Sequence, residues 1–316
     1  MKIFLRNYRD TNDLVEMLKI RESCVEADLI DTHSLLEGIP TREQFEKDIL
    51  ENHCVPESDI ILAFSGEKCI GYSRIGWWKE TDGPWLYLQL GNISPKWRTK
   101  GVRESLLQWS ENRIRTISKQ HDVQGNAFFG ANATSLENDE TQFLLKNGYK
   151  KVFSLCEMSL SNFNLVKANP IPSPFEIRKI DSSHLRAIWE ANNAVYTGRQ
   201  FCSVPSEEDY QEFATHTAND FDLWDVAWYK NQVAGFVLSR IEKGRAEVFE
   251  VGVIKQFRRK GLAHALLSNN VLRLKEKNIT IVRLYTSGEN VAGAKSLYEK
   301  VGFTHLKDFN RYRKAL

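Results

Sequence analysis

Polar and apolar positions along this chain follow strand and helix periods by turns, and the changeover points recur. Val248 to Val253 is short, β-branched and aromatic, the pattern of a strand. Arg258, Arg259, Lys260 and Gly261 follow, and from Ala263 the apolar residues Leu266, Leu267, Val271 and Leu274 recur at helical spacing. A second strand is predicted over Thr280 to Thr286. The turn Ser287-Gly288-Glu289 then leads into a helix from Asn290 to Lys300, ended by Gly302 in the place just past a helix C-terminus. A strand-like pattern runs from Phe303 to the end.

The first half carries a fainter copy. Trp85 to Ile93 reads as the strand, Arg98, Lys100 and Gly101 as the loop, and Val102 to about Ile114 as the helix. Ala127 to Ala131 is the next strand, and a helix ends at Asn147 before Gly148. Anchors pair in order: Leu5-Arg6 with Ile177-Arg178, Gly71 with Gly235, Gly101 with Gly261, and Gly148 with Gly302. The offset falls slowly from one pair to the next, as small insertions in the first copy would cause. Two long copies mean a duplication, not a solenoid of short repeats. Three prolines between 170 and 174 suit neither a helix nor a central strand. The expected division is therefore residues 1–165, a linker at 166–174, and residues 175–316. Each copy opens with a strand and then a helix start, with Asp10 and Asp181 placed to cap free N–H groups.

Composition removes several classes. The chain has 316 residues with 42% hydrophobic and 27% charged, which fits folded domains and not a disordered chain. Net charge is +2, so nothing marks a nucleic-acid or membrane partner. No apolar run approaches the ~18 residues of a membrane span, and the start is too short in apolar residues for a signal-peptide core. The five cysteines are scattered and form no CxxC, against a disulfide framework or a Cys-rich zinc site. A cytoplasmic protein without a metal is expected, as a monomer or homodimer.

A strand running into a basic, glycine-containing turn and then a helix is a seat for an anion. The first helical turn has unpaired N–H groups and a partial positive charge, and Gly261 with the small Ala263 lets a pyrophosphate approach. The turn is neither GxxxxGK[ST] nor GxGxxG. Taken alone it also reads as a solvated basic turn. The stretch Arg258-x-x-Gly261-x-Ala263 after Val251-Gly252-Val253, followed by Asn290 and then Tyr298-Glu299-Lys300-Val301-Gly302-Phe303, resembles the acetyl-CoA motif and second conserved block of the GCN5-related N-acetyltransferases (GNAT). The strong match covers about 235–303. The fold implied is α/β of the α+β type: two tandem GNAT-like domains, each a mixed central sheet flanked by helices.

The resemblance implies an acetyl-CoA-dependent transfer to an amine by direct attack, with no acyl-enzyme and no metal. It implies a general base at Glu247, with Glu250 as the rival; strand alternation puts the two on opposite faces unless a bulge intervenes. It places an acid for the departing thiolate at Tyr298, whose other reading is a core tyrosine. The backbone N–H of Val251 is expected on the thioester oxygen and Val253 beside the pantetheine amide. Arg258 and Arg259, with the backbone of Lys260, Gly261, Leu262, Ala263 and His264, are expected around the pyrophosphate, and Asn290 on the pantetheine arm. The first copy departs at these places, with Tyr87 for Glu247, Arg103 for Ala263 and Leu144 for Tyr298. It is expected to be a degenerate domain that completes the acceptor cleft.

The acceptor expected is a small-molecule amine. Between Tyr196 and Trp228 acids lie among aromatics, which suits a cation with an apolar body and equally suits solvated acids over a core. Acetylation of a protein N-terminus or lysine, and a non-catalytic CoA-binding module, are the alternatives.

Overall fold

The computed structural model describes the chain except Met1, His33, Leu35, Asn52, Thr81, Asp82, Gln124, 198–204, 217–220, Lys243 and 289–292, and describes the backbone only of Leu50, Glu51 and His216. Its contacts gather into two compact units, residues 1–153 with 309–316, and residues 154–308.

In the first unit, β1 (Ile3–Asn7) leads to α1 (Thr11–Ser23), α2 (Arg42–Glu51) and α3 (Pro56–Asp59). Then come β2 (Ile60–Ser65), β3 (Lys68–Lys79), β4 (Trp85–Ile93), α4 (Val102–Ser118), β5 (Ala127–Thr134), α5 (Asn138–Lys146) and the start of β6 (Lys150–Leu160). Asp10 caps α1 as its position predicted, accepting from the Asn12 N–H at 2.8 Å, an interaction worth about 1 kcal/mol. The strands lie in the order β1-β2-β3-β4-β5, all antiparallel except the parallel pair β4 and β5. Beyond β5 comes the end of β12 (Thr304–Ala315), paired from Phe309 to Ala315.

The second unit repeats the plan with β7 (Glu176–Ile177), α6 (Leu185–Tyr196), α7 (Glu207–His216), β8 (Asp225–Tyr229), β9 (Gln232–Glu242), β10 (Arg245–Val253), α8 (Leu262–Glu276), β11 (Val282–Ser287) and α9 (Ala294–Val301). The order is β7-β8-β9-β10-β11, and β10/β11 is again the parallel pair. Beside β11 lies β6, paired from Leu155 to Leu160. One hydrophobic core, including Val226, Phe236, Val248, Leu266 and Leu284, fills this unit.

The compact units and the sequence copies do not share their boundaries. Each unit's sheet takes its sixth strand from the other copy: Phe309–Ala315 in the first, the end of β6 in the second. The proline-rich 166–174 segment packs within the second unit. Val166 is buried, and Asn169 and Asn269 exchange hydrogen bonds of 3.1 and 2.9 Å, tying the segment to α8.

Candidate active site

The site of the second unit is built where two parallel strands part. β10 and β11 pair only from Ala246/Val282 to Val248/Leu284. At that point the register of β10 on β9 slips, from Val248/Ser239 to Glu250/Leu238, so Phe249 is an extra residue. The bulge changes which side chains share a face. Glu247 pairs with Arg240 and Glu250 with Leu238. Arg240 and Leu238 are two apart on one strand, so Glu247 and Glu250 stand on the same face of the sheet. Simple alternation predicted opposite faces, and the bulge overrides it.

The bulge also leaves a backbone edge at the opening. The Ile254 N–H donates to the Ala234 carbonyl on β9 at 3.0 Å. By strand alternation the N–H groups of Val253 and Val251 point the other way, toward the side that β11 has vacated. Gly252 is required between them. A Cβ there would lie 2.2 Å from the Phe236 ring.

The chain then turns through Lys255–Phe257 into α8. Gly261 sits at φ +79°, a left-handed conformation that glycine adopts without strain, and an added Cβ would meet nothing within 4 Å. The N–H groups of Leu262, Ala263 and His264, which begin the helix directly after this glycine, have no acceptor within the helix. Arg258, Arg259 and Lys260 are exposed around the turn. The Arg258 Nε turns back to the Val253 carbonyl at 2.8 Å and braces the strand end. α8 is held by a buried polar network. The Ser239 hydroxyl donates to Asn270 (2.7 Å), Asn270 donates to Asp225 (2.9 Å) and to the Leu223 carbonyl (2.8 Å), and Arg273 donates to Asp225 through both terminal nitrogens (3.0 and 2.8 Å). Burial pushes the Asp225 carboxyl above its ordinary range, with Arg273 pulling the other way.

Glu247 accepts two hydrogen bonds from Arg240, at 3.0 and 2.7 Å, both on Oε2. Tyr298 is 7% exposed on α9 and meets Phe303 edge-on with ring centres 6.2 Å apart. Asn290 lies outside the described residues. Of the acceptor segment, Trp224 and Trp228 are core residues. Glu207 pairs with Arg186, and Asp209 accepts from the Ser206 N–H at 2.6 Å just before α7.

The first unit has the same frame, and charged pairs line its opening. β4 and β5 part after Leu88/Gly130, Gly101 has φ +78°, and the Arg98 Nε meets the Ile93 carbonyl at 3.1 Å. The register of β4 on β3 runs without a bulge. The 380 Å³ cavity there is lined by two ion pairs, Arg98 with Asp28 and Arg103 with Glu140. The Arg103–Glu140 pair, at 3.0 Å, stands where the second unit has Ala263 and Ala294. Tyr87 is fully buried, and its hydroxyl lies 2.8 Å from Nδ1 of His121.

The sequence held a signal for Arg240: counting outward from a hairpin turn at Gly244 pairs 242 with 245 and 240 with 247. It held none for the bulge at Phe249 or for the partners of Asn270.

Residues 185–303 match the family model described as the acetyltransferase (GNAT) family. The mycothiol acetyltransferase of Renibacterium salmoninarum is 23% identical over 231 residues, 67% of this chain and 62% of that protein, so the match spans less than two thirds of its length. An N-alpha-acetyltransferase of Sulfurisphaera tokodaii is 28% identical over 123 residues, 35% of this chain and 73% of that protein. The solved GCN5-related N-acetyltransferase of Sphaerobacter thermophilus superposes with a TM-score of 0.73 at 19% identity, over 99% of this chain and 95% of that one. Residues 185–303 are thus similar to the GNAT acetyltransferase family, and a tandem GNAT fold runs through the chain. Among the described residues no helix is long and apolar enough to cross a membrane.

Proposed function

We propose that this chain transfers the acetyl group of acetyl-CoA to the primary amine of a small molecule, with the second unit as the working site. The observation that carries the reading is the continuous path from the β10 bulge to the start of α8. Two backbone N–H groups face a vacated strand position, and an open left-handed glycine precedes a helix N-terminus in a basic turn.

Acetyl-CoA supplies an activated thioester there. The Val251 N–H donates to its carbonyl oxygen, a fixed dipole aimed at developing charge. The Val253 N–H continues the edge for the pantetheine amide, as an added strand would. The N–H groups at the start of α8, with Arg258, Arg259 and Lys260, suit a pyrophosphate. Glu247 takes the proton from the incoming ammonium, directly or through water, and Arg240 fixes its carboxylate in place. Glu250 shares its face and is the competing base. Tyr298 returns a proton to the departing thiolate. The first unit serves as a scaffold, because ion pairs (Arg98 with Asp28, Arg103 with Glu140) line its equivalent opening.

The N-alpha-acetyltransferase relative favours a second reading, a peptide N-terminus as the acceptor. One experiment separates the two. The full chain is incubated with acetyl-CoA and a panel of small amines and short peptides, and thiol release is followed. Turnover with small amines supports the proposal, and turnover confined to peptides replaces it. No thiol release with any acceptor would count against transfer itself.

A further inference from the structure

The sequence carries no CxxC, and no metal was expected. The fold nonetheless brings together three ligand types that are far apart in the chain. Cys156 comes from β6, and His305 and Asp308 come from β12, all within the second unit. The Cys156 Sγ, a His305 ring nitrogen and an Asp308 carboxylate oxygen lie within 4.8 Å of one another. His305 Nε2 and Asp308 Oδ1 are 3.0 Å apart.

We propose that Cys156, His305 and Asp308 form a binding site for a borderline-soft divalent cation such as Zn²⁺. The donor set of one sulfur, one imidazole nitrogen and one carboxylate oxygen fits that ion, and tetrahedral bonds of about 2.0–2.3 Å place neighbouring donors about 3.3–3.7 Å apart. The observed spacing needs only side-chain adjustment to reach this. Entry is open, because the side chains of His305 and Asp308 are 39% and 31% exposed while Cys156 is buried behind them. The fourth position would face solvent and take water. Lys295 and Glu299 of α9 also act on Cys156. They carry opposite charges, so their effects on the sulfur oppose each other. Binding replaces the thiol proton: the S–H bond breaks, a metal–sulfur bond forms, and one proton is released to solvent. The bound ion would clip β12 to β6 and stabilise the folded chain by mass action.

The test uses the full chain and Co²⁺, whose thiolate complexes absorb in the near ultraviolet, with Zn²⁺ as competitor. About one equivalent of Co²⁺ should produce that absorption, Zn²⁺ should abolish it, and the chain should melt at higher temperature with Zn²⁺ than with a chelator. Cys156→Ser should remove the absorption, while Cys54→Ser should keep it. His305→Ala, at an exposed position that leaves folding intact, should weaken Co²⁺ binding at least tenfold. Absence of thiolate absorption in the wild type, or its survival in Cys156→Ser, would overturn the proposal, as would unchanged affinity in His305→Ala.

Discussion

Gly261→Glu and Gly101→Glu form a matched pair that isolates the phosphate seat. Both glycines precede a long helix, both have left-handed φ (+79° and +78°), and neither has an atom within 4 Å of an added Cβ. An L-residue in this conformation costs about 1–2 kcal/mol, so the two substitutions should lower stability by similar amounts. They differ in what the new carboxylate meets. Beside a pyrophosphate about 6 Å away, each charge pair repels by about 0.7 kcal/mol in water and about 3 kcal/mol at an effective dielectric of 20. With two phosphate charges the loss is about 1.5–6 kcal/mol, or roughly 10- to 10⁴-fold in acetyl-CoA affinity. Gly261→Glu should therefore raise the KM for acetyl-CoA at least roughly tenfold, and Gly101→Glu should leave it within about twofold. Initial rates at varied acetyl-CoA, alongside thermal melts of both variants, make the comparison. Equal loss of affinity from both would mean that both units hold the cofactor. No loss from Gly261→Glu would remove the pyrophosphate from the α8 N-terminus.

Glu247→Gln should slow turnover by roughly 10²–10⁴, the range of general-base catalysis, with partial recovery as rising pH deprotonates the free amine. Glu250→Gln should cost much less, and a Glu247→Gln pH–rate profile that superimposes on the wild type would transfer the role. Tyr298→Phe should lower kcat by about tenfold or more while acetyl-CoA affinity stays within about twofold, because the phenol acts on the leaving thiolate; a rise in Kd with unchanged kcat would make Tyr298 a packing residue. Glu137, near the mouth of the first unit's cavity, has its carboxyl raised above the ordinary range, chiefly by burial. A raised carboxyl favours folding below its unfolded pKa and loses that contribution as pH rises through the folded one. Glu137→Gln should therefore gain stability relative to the wild type as pH rises above the ordinary carboxylate range near about pH 4, and denaturant melts showing the reverse trend would refute the sign.

Periodicity and glycine placement made the duplicated plan legible. The strand–turn–helix at 248–274 and its fainter copy at 85–114 appear as β10 with α8 and β4 with α4. What stayed hidden depends on pairing between distant strands. No local pattern says that β6 joins the sheet of the second unit or that Phe309–Ala315 joins that of the first, because both strands follow the same alternation in either place. The bulge at Phe249 is a property of two strands at once, so alternation along β10 alone misplaced Glu250 relative to Glu247. Arg103 was visible as a departure from the small residue of the turn. Its partner Glu140 was not, since that pair exists only once α4 and α5 are both in place.

The most direct measurement is calorimetric titration of the full-length chain with acetyl-CoA, repeated on Gly261→Glu and Gly101→Glu. About one acetyl-CoA should bind per chain, with binding lost in Gly261→Glu and retained in Gly101→Glu. Binding of two per chain, or a single site that disappears only in Gly101→Glu, would contradict this.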